Sequence, residues 1–332
     1  MGPIACGRVL VVGFTGSSAP LRSLIEQLGG TCAAARNLQE AIQDLRDHPE
    51  TDLVLLVPGL SEASQAELCR AIKFDRRTAL MPVVALRPAG SERLLVPLYE
   101  AGADDCLSLD APPRELEARL TKAIRLKHAS DSLEDATAVI LSLAKAIEGK
   151  DGYTCGHVER VGSYSVEIGR RAGLDDAGLT ALRVGGVVHD IGKVMIPDPI
   201  LNKRCGLTEE ERKIMRRHPV IGYDILKPLR TFRQVLPIVR WHHERPNGRG
   251  YPDRLAGPEI PLIVRIISVA DVFDALSTDR PYRKAYTPER CRELLLDEAK
   301  QGNLDADMVQ VLLKAMTDGT VAAGSTASAA AV

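Results

Sequence analysis

Residues 183–197, RVGGVVHDIGKVMIP, set a histidine beside an aspartate at His189 and Asp190, with Lys193 one helical turn further on. An imidazole and a carboxylate so placed can hold one metal ion together, or the carboxylate can bridge to a second. An isolated His-Asp dipeptide would be an ordinary surface feature, but this pair has company. Of the seven histidines, five fall in the second half of the chain, at His157, His189, His218, His242 and His243, each inside a distinctive string. The other two, His48 and His128, sit among charged residues and read as solvated positions. Asp271 interrupts an apolar run, IISVADVFDAL, where an unpartnered buried carboxylate would cost several kcal/mol.

Five imidazoles and two carboxylates exceed what one tetrahedral ion takes, and suit two ions of higher coordination number. No cysteine joins the set, which argues against a structural zinc site. Mixed imidazole and carboxylate ligation favours iron or manganese, leaves zinc, cobalt or nickel as alternatives, and disfavours magnesium and calcium. Between two such cations, water loses a proton near neutral pH and becomes a nucleophile suited to phosphate esters.

Two kinds of element must position these groups. Over the first 125 or so residues, short apolar runs read as strands: RVLVVGF (8–14), TCAAA (31–35), DLVLLV (52–57), PVVAL (82–86) and DCLSL (105–109). Helical patterns at 20–28, 38–46, 61–73, 92–101 and 113–127 separate them, so five βα units predict an α/β doubly wound parallel sheet of the flavodoxin-like type. From about residue 130 to 316 the strand signal disappears and the pattern is all-α. Between the halves, Leu116, Leu120, Ile124, Leu133, Ile140, Leu143 and Ile147 form an apolar stripe, read as core on one long helix or on two with a break near Ser130. The expected domains are thus 1–125, 126–318 including the linker helix, and a small-residue tail, 319–332, read as disordered.

The chain has 332 residues, 45% of them hydrophobic, and a net charge of −1 with both signs interspersed, so nothing global draws it to DNA or to an anionic membrane. Seven scattered cysteines form no C-x-x-C pair, and no signal peptide or membrane-spanning run is evident; the expectation is a reduced, cytoplasmic protein.

The first half, with DLVLLVPGL and GADDCLSLDAPPREL, resembles the receiver domain of bacterial response regulators over residues 8–125. In that family an acidic pair follows the first strand, a phosphorylatable Asp ends the third, Ser or Thr ends the fourth and Lys ends the fifth. Here those positions are Gly13 and Phe14, Val57, Arg87 and Leu109. Valine can neither attack phosphorus nor hold magnesium, so the resemblance implies a degenerate receiver, a packing or dimerisation module rather than a phosphoacceptor.

The strings YTCGHVERV (153–161), VVHDIGKVMIPDPILNK (187–203), LTEEERKIMRRHPVIGYDIL (207–226), HHERPNGRGYP (242–252) and IPLIVRIISVADVFDALSTDRPYRKA (260–285) resemble the HD-GYP family in order over roughly 180 residues. That family is an all-helical branch of the HD superfamily that hydrolyses cyclic di-GMP, often behind a receiver domain. The resemblance implies that His157, His189, Asp190 and Asp271 are ligands shared with the wider superfamily. It makes His218, His242 and His243 the ligands of a second ion, with Asp190 bridging and a metal-bridging hydroxide as nucleophile. Lys193 would meet the scissile phosphate, and Arg280, Arg283, Asp274, Tyr251 and Gly250 would contact the rest of the dinucleotide. Expected partners are cyclic di-GMP, a second copy of the chain in a homodimer, and signalling proteins met through the GYP loop or the degenerate receiver. The implied products are pGpG and then GMP. The alternatives are another cyclic dinucleotide such as cyclic GMP-AMP, or a receptor that binds without turnover.

Two departures stand out. Asn247 replaces the family's usual Asp in HHExxDGxGYP, and Tyr153 stands where three-metal members have Glu, which favours two ions. The absent nucleophile at Val57 makes a direct prediction: incubation with acetyl phosphate and magnesium leaves the intact mass unchanged. A phosphoryl group mapped to residues 1–125 would overturn it.

Overall fold

The computed structural model describes residues 7–13, 19–75, 77–88, 90, 95–150, 156–203, 205–279 and 283–322. The chain forms two compact units, residues 1–136 and 137–332, dividing later than the sequence boundary at 125.

In the first unit, strands β1 (Arg8–Val12), β2 (Thr31–Ala35), β3 (Thr51–Leu56), β4 (Val83–Arg87) and β5 (Asp105–Ser108) alternate with helices α1 (Ala19–Gln27), α2 (Leu38–Asp47), α3 (Glu62–Phe74) and α4 (Leu95–Glu100). The sheet is wholly parallel in the order β2-β1-β3-β4-β5, the doubly wound arrangement expected of consecutive βα units. Its alternation supplies two cores, one from Leu10, Val12, Val54 and Leu56, the other from Val9, Val11, Leu53 and Leu55. All six residues of β3 are buried, and its apolar run from Leu53 to Leu56 reflects cover on both faces.

At the carboxyl edge of the sheet, Gly13 follows β1, buried Val57 follows β3, Arg87 closes β4 and Leu109 follows β5. Phe14 lies outside the described residues. The nearby acids are engaged at the opposite edge. Asp52 accepts the Gly7 N–H at 2.7 Å and meets His128 Nε2 at 3.0 Å, and Asp104 accepts the Val83 N–H and the Lys73 ammonium. His128 is therefore paired rather than simply solvated, because α5 (Pro113–Lys150) lays it against the start of β3.

Helix α5 is a single element of 38 residues, continuous through Ser130. Its apolar stripe is only partly core. Leu120 and Ile124 are buried in the first unit, and Ala144 in the second, while Leu133 and Leu143 are exposed.

The second unit continues with α6 (His157–Arg171), α7 (Asp176–Val188), α8 (Asp198–Leu201), α9 (Glu209–Met215), α10 (His218–Leu226), α11 (Leu236–Trp241), α12 (Leu262–Ser277), α13 (Pro288–Lys300) and α14 (Ala306–Thr317). Helix α12 is apolar nearly all round, and Ile266, Ile267, Val269, Ala270 and Phe273 fill the core against α6, α13 and α14. Helices α6 and α7 touch backbone to backbone. A Cβ on Gly186 would lie 2.5 Å from Gly162 Cα, so neither position has room for a side chain. After α14 the chain stays packed. Val321 is buried and the Tyr164 hydroxyl donates to the Ala322 carbonyl at 3.2 Å, so 319–322 are tied to the helical unit through one core residue rather than forming a free tail. Residues 323–332 lie outside the described set. Among the described residues no helix is long and apolar enough to cross a membrane.

Candidate metal centre

Helix ends supply the candidate ligands. His157 opens α6, His189 follows the last residue of α7 and passes directly to Asp190, His218 opens α10, His242 and His243 follow α11, and Asp271 sits mid-way along α12. Asp190 leads into a 3₁₀ turn, Ile191–Met195, that packs on α10 so closely that a Cβ on Gly192 would fall 1.9 Å from the His218 carbonyl oxygen. Only glycine permits that approach, and it brings the carboxylate onto the histidines.

Two ligand groups result, His157, His189 and Asp271 in one and Asp190, His218, His242 and His243 in the other, with the ligand atoms of each within 4.8 Å of one another. Asp190 lies where they meet: Oδ1 is 3.0 Å from His218 Nε2 and 3.6 Å from His242 Nε2, while Oδ2 is 3.3 Å from His189 Nε2 and 2.8 Å from Lys193 Nζ. His157 Nε2 stands 3.5 Å from Asp271 Oδ1.

The outer nitrogens fix the tautomers. His189 Nδ1 faces the Gly186 carbonyl at 2.8 Å, His218 Nδ1 that of Met215 at 2.8 Å, and His242 Nδ1 those of Ile238 and Val239 at 3.2 and 3.1 Å. A carbonyl only accepts, so Nδ1 carries a hydrogen and each ring turns its Nε2 inward, the nitrogen that metal-binding histidines offer once it is unprotonated. His157 follows the same logic through the Asp274 carboxylate at 2.7 Å. Buried His189 Nε2 makes no hydrogen bond, and His218 and His242 face each other Nε2 to Nε2 at 3.2 Å. Inward-turned Nε2 atoms converging on one another and on a carboxylate form a site that a shared cation, proton or metal, satisfies. Imidazole nitrogens with carboxylate oxygens, and no thiolate, suit divalent transition ions.

Charge is distributed to the same end. Although burial disfavours ionisation, Lys193, His189 and His218 hold the Asp190 carboxyl well below its ordinary range. Burial opposes the charging of His189 too, yet Asp190 and Asp271 push it up to about 9. Burial and the neighbouring rings press His242 down and His243 well down, which keeps both neutral. Tyr251 stacks on His243 at 4.7 Å, and burial together with Asp190 raises its phenol so that it stays protonated.

The structure also reassigns residues. Asp274, expected at the substrate, is wholly buried, with its carboxylate taken by His157 Nδ1 and by Arg160 Nε at 2.6 Å; it orients a ligand and has no surface to offer. Arg283 turns back on α12, donating to the carbonyls of Ala275 at 2.5 Å and Leu276 at 3.3 Å and lying 4.0 Å over the Tyr286 ring, so it caps a helix instead of reaching outward. Arg280 and Tyr153 lie outside the described residues. Gly250 is a packing requirement, since a Cβ there would meet Glu244 Cα at 2.5 Å. Asn247 keeps the loop, accepting the Arg249 N–H at 3.0 Å and donating to Asn303 at 2.9 Å.

Sequence reasoning missed Glu244. Buried beside His243, it accepts the N–H groups of Asp253, Arg254 and Leu255 and so ties the GYP loop to the paired histidines. The signal was the Glu in HHERPNGRGYP. It also missed Ser268, whose hydroxyl donates to the His242 carbonyl at 2.8 Å.

A cation that takes His189 as ligand must displace its proton at any pH below about 9. Manganese affinity of chelator-treated protein therefore rises between about pH 6 and pH 9, by up to about tenfold per unit, with proton release on binding. Calorimetric titration in buffers of different ionisation enthalpy checks this. An affinity flat across that range would exclude His189 as a ligand.

The HD domain family matches residues 142–308. The chain is 35% identical over 288 residues to the cyclic di-GMP phosphodiesterase response regulator RpfG of Xanthomonas campestris pv. campestris, covering 79% of this chain and 75% of that one. It is 31% identical over 313 residues to a cyclic di-GMP phosphodiesterase of Thermotoga maritima, covering 84% and 82% respectively. A 3'3'-cGAMP-specific phosphodiesterase 2 of Vibrio cholerae is 36% identical over 188 residues, 55% of this chain and 35% of that protein. The receiver domain of an HD domain-containing protein from Pseudomonas fluorescens Pf-5 aligns with a TM-score of 0.35 at 21% identity, over 40% of this chain and 96% of that one. With the family's match centred on the ligand-bearing helices and one relative followed along most of both chains, the protein belongs to the HD-domain family, in its HD-GYP phosphodiesterase branch, with a receiver-type domain ahead of the helical one.

Proposed function

We propose that the helical domain hydrolyses cyclic di-GMP, opening it to linear pGpG and then cutting that to GMP, and that the first domain is a non-phosphorylatable regulatory or dimerisation module. The observation that carries this reading is the meeting of two ligand groups at the Asp190 carboxylate, with the Lys193 ammonium 2.8 Å from the same group. Relatives that match along both domains, in Xanthomonas and Thermotoga, are named for cyclic di-GMP, whereas the cyclic GMP-AMP enzyme matches 55% of this chain, and that pattern supports the substrate.

In this reading His157, His189 and Asp271 would hold one cation and His218, His242 and His243 the other, with Asp190 available to both. Two divalent ions, iron or manganese by preference, supply a water acidified toward neutrality and positive charge against the phosphate. The protein's own part is preorganisation. Carbonyl and carboxylate partners hold the rings, so their lone pairs need no reorientation during the reaction. Lys193 spends its charge on Asp190 in the resting site and turns it to the non-bridging phosphate oxygens as negative charge builds there. Tyr251, kept protonated, is a neutral donor at the rim.

Purified protein loaded with manganese and given cyclic di-GMP and cyclic GMP-AMP in parallel decides the substrate. Chromatography is expected to show cyclic di-GMP consumed with pGpG as the first product, at a kcat/KM about tenfold or more above that for cyclic GMP-AMP. The opposite preference, or binding with no turnover of either, would refute the assignment.

A further inference from the structure

A cyclic dinucleotide carries two phosphates, and the centre described above addresses only the one that is cut. The second phosphate keeps its charge throughout and needs a cation outside the metal site. Lys193 is committed to Asp190, and Arg283 is committed to the end of α12. Arg216, two residues before His218, is differently placed. Its guanidinium carbon lies 5.3 Å over the Tyr251 ring, and that ring in turn stacks on His243. The side chain is exposed, and among the described residues no carboxylate pairs with it. Tyr251 feels Asp190, Asp271, Lys193 and Arg216 together, so the arginine belongs to the same electrostatic neighbourhood as the metal ligands while standing on its solvent side.

The mode of contact limits what Arg216 can recognise. Tyr251 lies on one side of the guanidinium, and the exposed side chain keeps N–H groups open to solvent. A guanidinium fork fits the oxygens of a phosphate two at a time. We propose that Arg216, held by Tyr251, binds the non-scissile phosphate of the substrate and so selects cyclic dinucleotides over simple phosphodiesters. This rests on the cyclic di-GMP reading.

The test compares cyclic di-GMP with bis(p-nitrophenyl) phosphate, which has a single phosphodiester, on manganese-loaded full-length protein. A charge-assisted bidentate contact is worth roughly 1.5–3 kcal/mol. Arg216→Ala is therefore expected to lower the selectivity, kcat/KM for cyclic di-GMP over kcat/KM for the simple diester, by about tenfold to a hundredfold, mainly through KM. Arg216→Lys, which keeps the charge and loses the fork, should fall between. An unchanged ratio, whether both activities fall together or neither falls, would overturn the proposal. Failure of the underlying reading is separate: wild-type protein would cleave the simple diester and leave cyclic di-GMP intact.

Discussion

The helical domain depends on one ionised carboxylate, Asp190, packed among imidazoles and an ammonium. Left alone in such surroundings a carboxylate would cost several kcal/mol, and it is tolerated because Lys193, His189 and His218 converge on it. The same convergence pushes His189 up to about 9 while His242 and His243 are driven down. A metal ion bound at these nitrogens would compete with protons for them.

Holding Asp190 there is a backbone problem before it is a side-chain one. Gly162 and Gly186 let α6 and α7 touch, which sets the His157 and His189 rings 5.6 Å apart, and Gly192 lets the turn after Asp190 press on α10. Every ligand except Asp271 sits at or just beyond a helix end. Carbonyls in the last turn of a helix have accepting capacity to spare, and those of Gly186, of Val239 and of Ile238, which also takes the His242 N–H, serve to lock the rings. The two longest-range supports, Asp274 with Arg160 on His157 and Glu244 on the GYP loop, extend that rigidity to α12 and to the segment after α11.

Much of this was legible in the sequence, for identifiable reasons. The sheet was readable because short apolar runs such as Leu53–Leu56 in β3 are separated by turn residues, and the strands found differ from those expected by a residue or two at the ends. The seven ligand-type side chains stood out because five of the seven histidines fall in the second half of the chain, each in a distinctive string, and Asp271 interrupts an apolar run. What composition could not convey is direction. DVFDAL reads alike whether Asp274 faces a substrate or an arginine, and only the packing of α12 on α6 turns it inward. DRPYRKA reads as an exposed basic turn, yet Arg283 folds back onto the carbonyls of Ala275 and Leu276 in the last turn of α12. His128 looked solvated for the same reason: its partner, Asp52, is 76 residues away in sequence. The stripe on α5 misled differently, since periodicity marks a face without saying what covers it, and Leu133 and Leu143 remain exposed.

The central claim is that Asp190 joins the two ligand groups into one two-cation centre. Electron paramagnetic resonance of protein loaded with manganese addresses it directly, because two ions sharing a bridging carboxylate are exchange-coupled. The account expects a coupled dinuclear spectrum in the wild type that Asp190→Asn converts to isolated-ion signals. Wild-type protein that binds two manganese ions and shows only isolated-ion signals would contradict it.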